Sequence, residues 1–193
     1  MLEGILDIRL LPTWSPSNVT DDLVRALSGA HHLQAGIGFW TIGDDLLGPH
    51  LARTLREDSG FACVDLHAPT DVDALAAVAT KGGHLRIYYE DIPTYTDAGR
   101  KEPACLLHSK MLVLWAKDKT AELWVGSHNW TNRAILGLNV EASLAIRLRD
   151  RAPLFRAAAG YLAMIKRISA RSTPRRLTCT KRYRESCRTG WCR

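Results

Sequence analysis

Short apolar runs alternate with stretches of helical length through most of this sequence. Residues 2–11, 33–41, 61–66, 85–89, 106–115, 121–125 and 140–148 read as strands. Thr20, Asp21 and Asp22 open a helix, with the acids in the first turn where the dipole favours them, and Leu23 and Leu27 share one of its faces. Residues 46–56 read as a second helix, with Pro49 tolerated near its start. Thr70 caps a third that runs through Thr80 and stops at Gly82 and Gly83. Residues 153–168 form an alanine-rich fourth. This alternation predicts an α/β fold, a mixed β-sheet flanked by helices on both faces.

Composition agrees with a packed domain. The chain has 193 residues, 46% hydrophobic and 24% charged, which excludes disordered, collagen-like and disulfide-dense classes. The charge is unevenly placed. Residues 1–170 hold 18 basic and 19 acidic residues, whereas residues 171–193 hold 8 basic residues against Glu185 alone. The expected organisation is one domain over 1–170 and a basic, disordered tail over 171–193, suited to nucleic acid or anionic lipid. No segment approaches the ~18 consecutive apolar residues of a membrane span, and no signal peptide is visible. Cys63 and Cys105 lie in apolar runs and read as buried thiols, while Cys179, Cys187 and Cys192 lack paired zinc spacing. A reducing, cytoplasmic setting is expected.

Chemistry concentrates in one region. His108 and Lys110 interrupt the apolar run 106–115, and on a strand their spacing turns both to one face. Burying an ammonium beside an imidazole costs several kcal/mol unless an anion or polar network meets them, on the order of the penalties for unpaired charge. Gly126, Ser127, His128 and Asn129 follow the next strand. Ammonium, imidazole, hydroxyl and carboxamide together make a donor-rich cradle suited to phosphate.

This pattern resembles the phospholipase D superfamily, whose signature is H-x-K, four residues, D, six residues, then G-S-x-N. Here it stands as His108-Ser109-Lys110 and Gly126-Ser127-His128-Asn129, with Glu141 in the following strand region. The signature's Asp position is Trp115, and Lys110 to Gly126 spans 16 positions where the signature has 12, so Asp118 reads either as a displaced counterpart or as a turn residue between two lysines. The resemblance implies a metal-independent, cofactor-free phosphodiesterase. One imidazole attacks phosphorus to form a phosphohistidine; a second protonates the leaving oxygen and then activates water. His108 would be nucleophile or acid. Lys110 and Asn129 would bind phosphate, Ser127 would add a hydrogen bond, and Glu141 would hold the His108 tautomer.

The mechanism uses two such motifs, and no second H-x-K exists in the chain. A homodimer that brings two copies of His108 together is therefore expected, as in the small single-motif bacterial members. A nuclease acting on DNA or RNA is the favoured activity. The alternatives are a phospholipase or phosphatidyltransferase acting on anionic phospholipid, and a catalytically weak binding module, which Trp115 at the Asp position favours. Residues 90–105 read as a polar loop in which Arg100 and Lys101 are placed to touch a polyanionic substrate. His128, at the variable position of G-S-x-N, is expected to point away from the cradle. Gly36-Ile37-Gly38 is discounted as a dinucleotide loop because it lacks the third glycine and is expected to follow no strand end. His31 and His32 are expected to precede a strand and to be structural. Trp115, Trp124 and Trp130 are expected in the core or at the dimer interface.

Overall fold

Alternate residues of the central strands face two different helix layers, and this sets the architecture. The computed structural model describes residues 3–13, 19–42, 47–56, 59–67, 69–88, 93–95, 101–103, 106–171 and 177. In chain order the elements are β1 (Ile5–Pro12), α1 (Val19–Gly29), β2 (Ala30–Ile37), α2 (Gly48–Thr54), β3 (Phe61–Asp65), α3 (Val72–Thr80) and β4 (Leu85–Tyr88). There follow β5 (Pro93–Tyr95), β6 (Lys101–Pro103), β7 (Lys110–Ala116), β8 (Thr120–Gly126), α4 (Asn132–Ile135), β9 (Ala142–Arg149), α5 (Pro153–Ile168) and β10 (Ala170–Arg171).

Eight strands form one mixed sheet in the order β1-β9-β8-β7-β2-β3-β4-β10. Only β2–β3 and β3–β4 are parallel, as crossovers through α2 and α3 require; the other pairs are antiparallel. Leu112, Leu114, Ala62 and Val64 pack with Leu23 and Leu27 of α1, Leu51 of α2 and Leu75 of α3. Val113, Phe61 and Cys63 face the opposite way, onto Phe155, Ala158, Leu162 and Ile165 of α5. Each fully buried Leu or Phe stabilises the fold by roughly 1.5–3 kcal/mol, so helices hold both faces.

Several boundaries depart from the sequence reading. The third helix is capped by Asp71, whose carboxylate accepts from the Asp73 and Ala74 amides; the Thr70 hydroxyl instead accepts from the Trp40 amide. His31 and His32 lie inside β2, not before it. The 90–105 segment contains the two-stranded β5–β6 ribbon. The domain does not stop at Ala170. Arg171 pairs with Arg86 through β10, and Leu177 is 1% exposed within the main core, because an apolar side chain next to the core gains more from burial than the backbone loses. The remaining tail residues, with Cys179, Cys187 and Cys192, lie outside the described residues, as does Cys105. Cys63 is a buried free thiol, and burial pushes its pKa up to about 11.

Candidate active site

β2 and β3 run parallel and end together, at Ile37 and Asp65, and the segment leading into β7 crosses these ends. That segment carries His108. The strand itself starts only at Lys110, so His108 and Lys110 are not two positions on one strand face. The cause is competition for the backbone. Asp65, fully buried, accepts the Leu107 amide on Oδ2 at 2.7 Å, drawing the chain toward β3. The Gly38 amide donates to the Ser109 carbonyl at 2.7 Å, and Lys110 Nζ donates to the His108 carbonyl at 2.9 Å. His108 is thereby left exposed on a backbone held from three directions.

Asp65 also accepts, on Oδ1, from the His67 amide at 2.7 Å and from His67 Nδ1 at 2.5 Å. Sequence reading passed over Asp65; the available signal was a lone carboxylate closing the wholly apolar strand 61–65. Gly38 was also underrated. It does follow a strand end, and a Cβ there would lie 2.9 Å from the Leu107 carbonyl oxygen and 3.3 Å from both Asn129 Oδ1 and the His108 Cα. Only glycine lets β2 pass between the two halves of the motif at this distance.

The second half of the motif is placed by β8 and β9. A Cβ on Gly126 would meet Ser143 Oγ at 2.3 Å and the Ala142 carbonyl at 2.4 Å, so glycine is obligatory there. Ser127 Oγ donates to the Ala142 carbonyl at 3.2 Å and accepts from the Ala142 amide at 3.0 Å, which ties the turn to β9. Asn129 Oδ1 accepts from the Phe39 amide at 3.0 Å, an arrangement that fixes the carboxamide and leaves Nδ2 as the outward donor. Trp130 is stitched to residues 39–42 by backbone bonds and packs edge-on against Trp40. Phe39 lies beside both catalytic candidates, 5.9 Å from the His108 ring and 6.0 Å from Lys110 Nζ, measured to its centroid.

Electrostatics follow from burial. Burial lowers the Lys110 pKa and the Glu141 charge opposes this, so the ammonium sits partly desolvated with one acid near it. His128 points inward as expected. Its Nδ1 lies 2.7 Å from Ser143 Oγ, and burial lowers its pKa. His32 stacks on Trp115 at 4.3 Å, and burial, with the His31 charge, lowers its pKa to about 4. The unfolded chain binds that proton near the ordinary value of about 6.5. Between these values the unfolded state holds more protons, so stability falls as pH drops from about 6.5 towards 4. His32→Phe is expected to flatten, though not abolish, this slope in urea unfolding, because His128 contributes in the same direction. An unchanged slope would contradict the assignment.

The other sequence candidates are placed differently. Glu141 makes no hydrogen bond to His108; its Oε1 accepts from Asn139 Nδ2 at 3.3 Å, because residues 139–141 precede β9 and are tied to Thr13. Asp118 sits in the β7–β8 turn, at the far end of a seven-residue strand and so about 20 Å from Lys110. There it accepts from Thr120 and Arg147. The four extra residues lengthen the ladder, pairing Trp115 with Ala121, and carry the turn away from the cradle. Lys101 begins β6, its side chain undescribed, and Arg100 lies outside the described residues. Trp124 and Trp130 are core residues. Among the described residues, no three His, Cys, Asp or Glu side chains gather as a metal site, and no helix is long and apolar enough to cross a membrane.

Neither a family model nor a curated protein matches this sequence. Solved structures do. Nuc from Salmonella typhimurium, a phospholipase D family member, superposes with a TM-score of 0.56 at 17% identity, covering 86% of this chain and 99% of Nuc. NucT from Helicobacter pylori superposes with a TM-score of 0.57 at 14% identity, over 86% of this chain and 99% of NucT. The mixed eight-stranded sheet between two helix layers is thus the fold of these phospholipase D-like structures.

Proposed function

We propose that this protein is a phosphodiesterase working through a phosphohistidine on His108, with a nucleic acid strand as substrate. The observation that carries the reading is the convergence of an exposed imidazole, a partly desolvated ammonium and an outward carboxamide on one rigid frame. In that reading a His108 ring nitrogen forms a bond to phosphorus while the P–O bond to the leaving oxygen breaks. Lys110 and Asn129 Nδ2 meet the equatorial oxygens. The leaving oxygen takes a proton from His108 of a second copy, which then removes one from the water that hydrolyses the phosphohistidine. Charge neutralisation by these side chains makes metal unnecessary. A second copy is needed because one chain supplies one H-x-K, and it also offers a place for the unspent Glu141 carboxylate.

A lipid substrate is the second reading. Leu138 and Val140 are 65% and 78% exposed immediately before Glu141, an apolar rim that suits a bilayer surface. The deciding experiment presents single-stranded DNA, RNA, a chromogenic phosphodiester and phosphatidylcholine vesicles in excess EDTA across a dilution series. Nucleic acid hydrolysis whose specific activity falls as the dimer dissociates is the expected result. Turnover of vesicles alone would establish the lipid reading. Silence on all four from a confirmed dimer would leave a binding module.

A further inference from the structure

A second electropositive site lies at the other end of the sheet. Gly60, Phe61, His84, Leu85, Arg86, Lys166 and Arg171 line a pocket of about 440 Å³ between the starts of β3 and β4 and the end of α5. None of these lining residues is acidic, and among the described residues no carboxylate lies within ion-pair distance of Arg86 or Lys166. The pocket is also built to stay in shape. Arg86 Nε donates to the Lys166 carbonyl at 2.9 Å, and an Arg86 terminal nitrogen donates to the Ser169 carbonyl. That fixes the guanidinium plane and leaves further N–H groups for another acceptor. Lys166 Nζ rests 4.6 Å over the Phe61 ring, an orientation that holds the ammonium at the rim. Both charges oppose the rise that burial imposes on the Cys63 pKa. Like charges held this close repel, and a bound anion relieves that repulsion.

We infer that this pocket binds a backbone phosphate of the same nucleic acid strand that the His108 site cleaves, an inference that rests on the nucleic acid reading above. Geometry favours a strand over an isolated phosphate. Phe61 and Asp65 are the two ends of β3, about 13 Å apart, and Asp65 holds the residue before His108. β3 is buried on both faces, so a nucleic acid strand that reaches both of its ends runs around the helix layers, a longer path than a dinucleotide spans. The body of the chain is near neutral, so Arg86 and Lys166, which face no carboxylate among the described residues, are a principal source of attraction for a polyanion. Arg171, which lines the pocket, is also the first basic residue of the 171–193 segment.

The test measures binding separately from cleavage. Fluorescence anisotropy compares wild type with Lys166→Glu and Arg171→Gln, on labelled dinucleotides and on single strands of about 12 nucleotides, over a salt series. Arg86 is spared because it anchors the last turn of α5, and two rim variants guard against one that misfolds. Lys166→Glu is expected to weaken the longer strand about tenfold and to reduce the salt slope by about one, with dinucleotide affinity unchanged. Equal weakening on both lengths, or none on the longer strand, overturns the inference. Loss of anionic-vesicle binding with no effect on oligonucleotides would reassign the pocket to lipid headgroups. Chromogen hydrolysis by wild type reports on the phosphodiesterase reading alone, so pocket-dependent binding without it would overturn that reading and leave this one standing.

Discussion

His108→Ala is expected to lower phosphodiester turnover by about ten-thousand-fold or more without changing thermal stability measurably. The two halves of that statement have different origins. The loss of activity follows from removing the group proposed to bond covalently to phosphorus. The unchanged stability follows from exposure: the imidazole makes no hydrogen bond, only an edge contact with Phe39, so its removal opens no cavity. The frame is held instead by the backbone bonds of Leu107, Gly38 and Lys110, which the substitution leaves in place. Mixing experiments extend the prediction. Excess His108→Ala subunits should silence wild type as mixed dimers form, because each site then holds one histidine. Hydrolysis that survives in the purified variant would sink the histidine mechanism.

Asp65→Ala has the second-largest expected effect, and it acts on both stability and rate. The carboxylate is fully buried and accepts three hydrogen bonds. Its removal leaves the Leu107 amide unsatisfied and a void beside it, at a cost of about 2–4 kcal/mol. Leu107 precedes His108, so its release moves the nucleophile. A displacement near 1 Å is enough to cost about a hundredfold in rate. We place Asp65 as a positioning residue. The signature of that role is a fall in kcat with KM little changed, measured well below the unfolding temperature, together with partial recovery in Asp65→Asn, which keeps one acceptor for the Leu107 amide. A variant that is less stable but equally active when folded would reduce Asp65 to a structural residue.

The order of strands and helices was legible because it depends on short windows. The helix at Pro153–Ile168 is bounded as its periodicity and its first-turn proline indicate. The run at 61–66 reads as a short strand, and Phe61–Asp65 is one, buried throughout. Errors cluster where a tertiary partner displaced a local preference. The run at 106–115 has the composition of a strand throughout, yet its first four residues are taken up by Asp65 and Gly38 before the ladder begins. His31 and His32 look like a polar prelude, yet His32 pairs with Trp115 of β7 and His31 sits at an irregularity in the same ladder.

The proposal of a second copy rests on the single H-x-K, and the side chains the proposal draws on were likewise visible in the sequence, through motif spacing. Their arrangement was not. Leu107 meets a carboxylate 42 residues away, and Asn129 is oriented by an amide 90 residues away. Asp118 was only 8 residues from Lys110 in sequence and finished at the far end of the strand, while Gly60, His84 and Lys166 met in one pocket. Sequence by itself determined which side chains are present and which segments extend or coil, since propensity and periodicity act over a few residues. Sheet order and register, settled by burying both faces at once, decided which of those side chains meet.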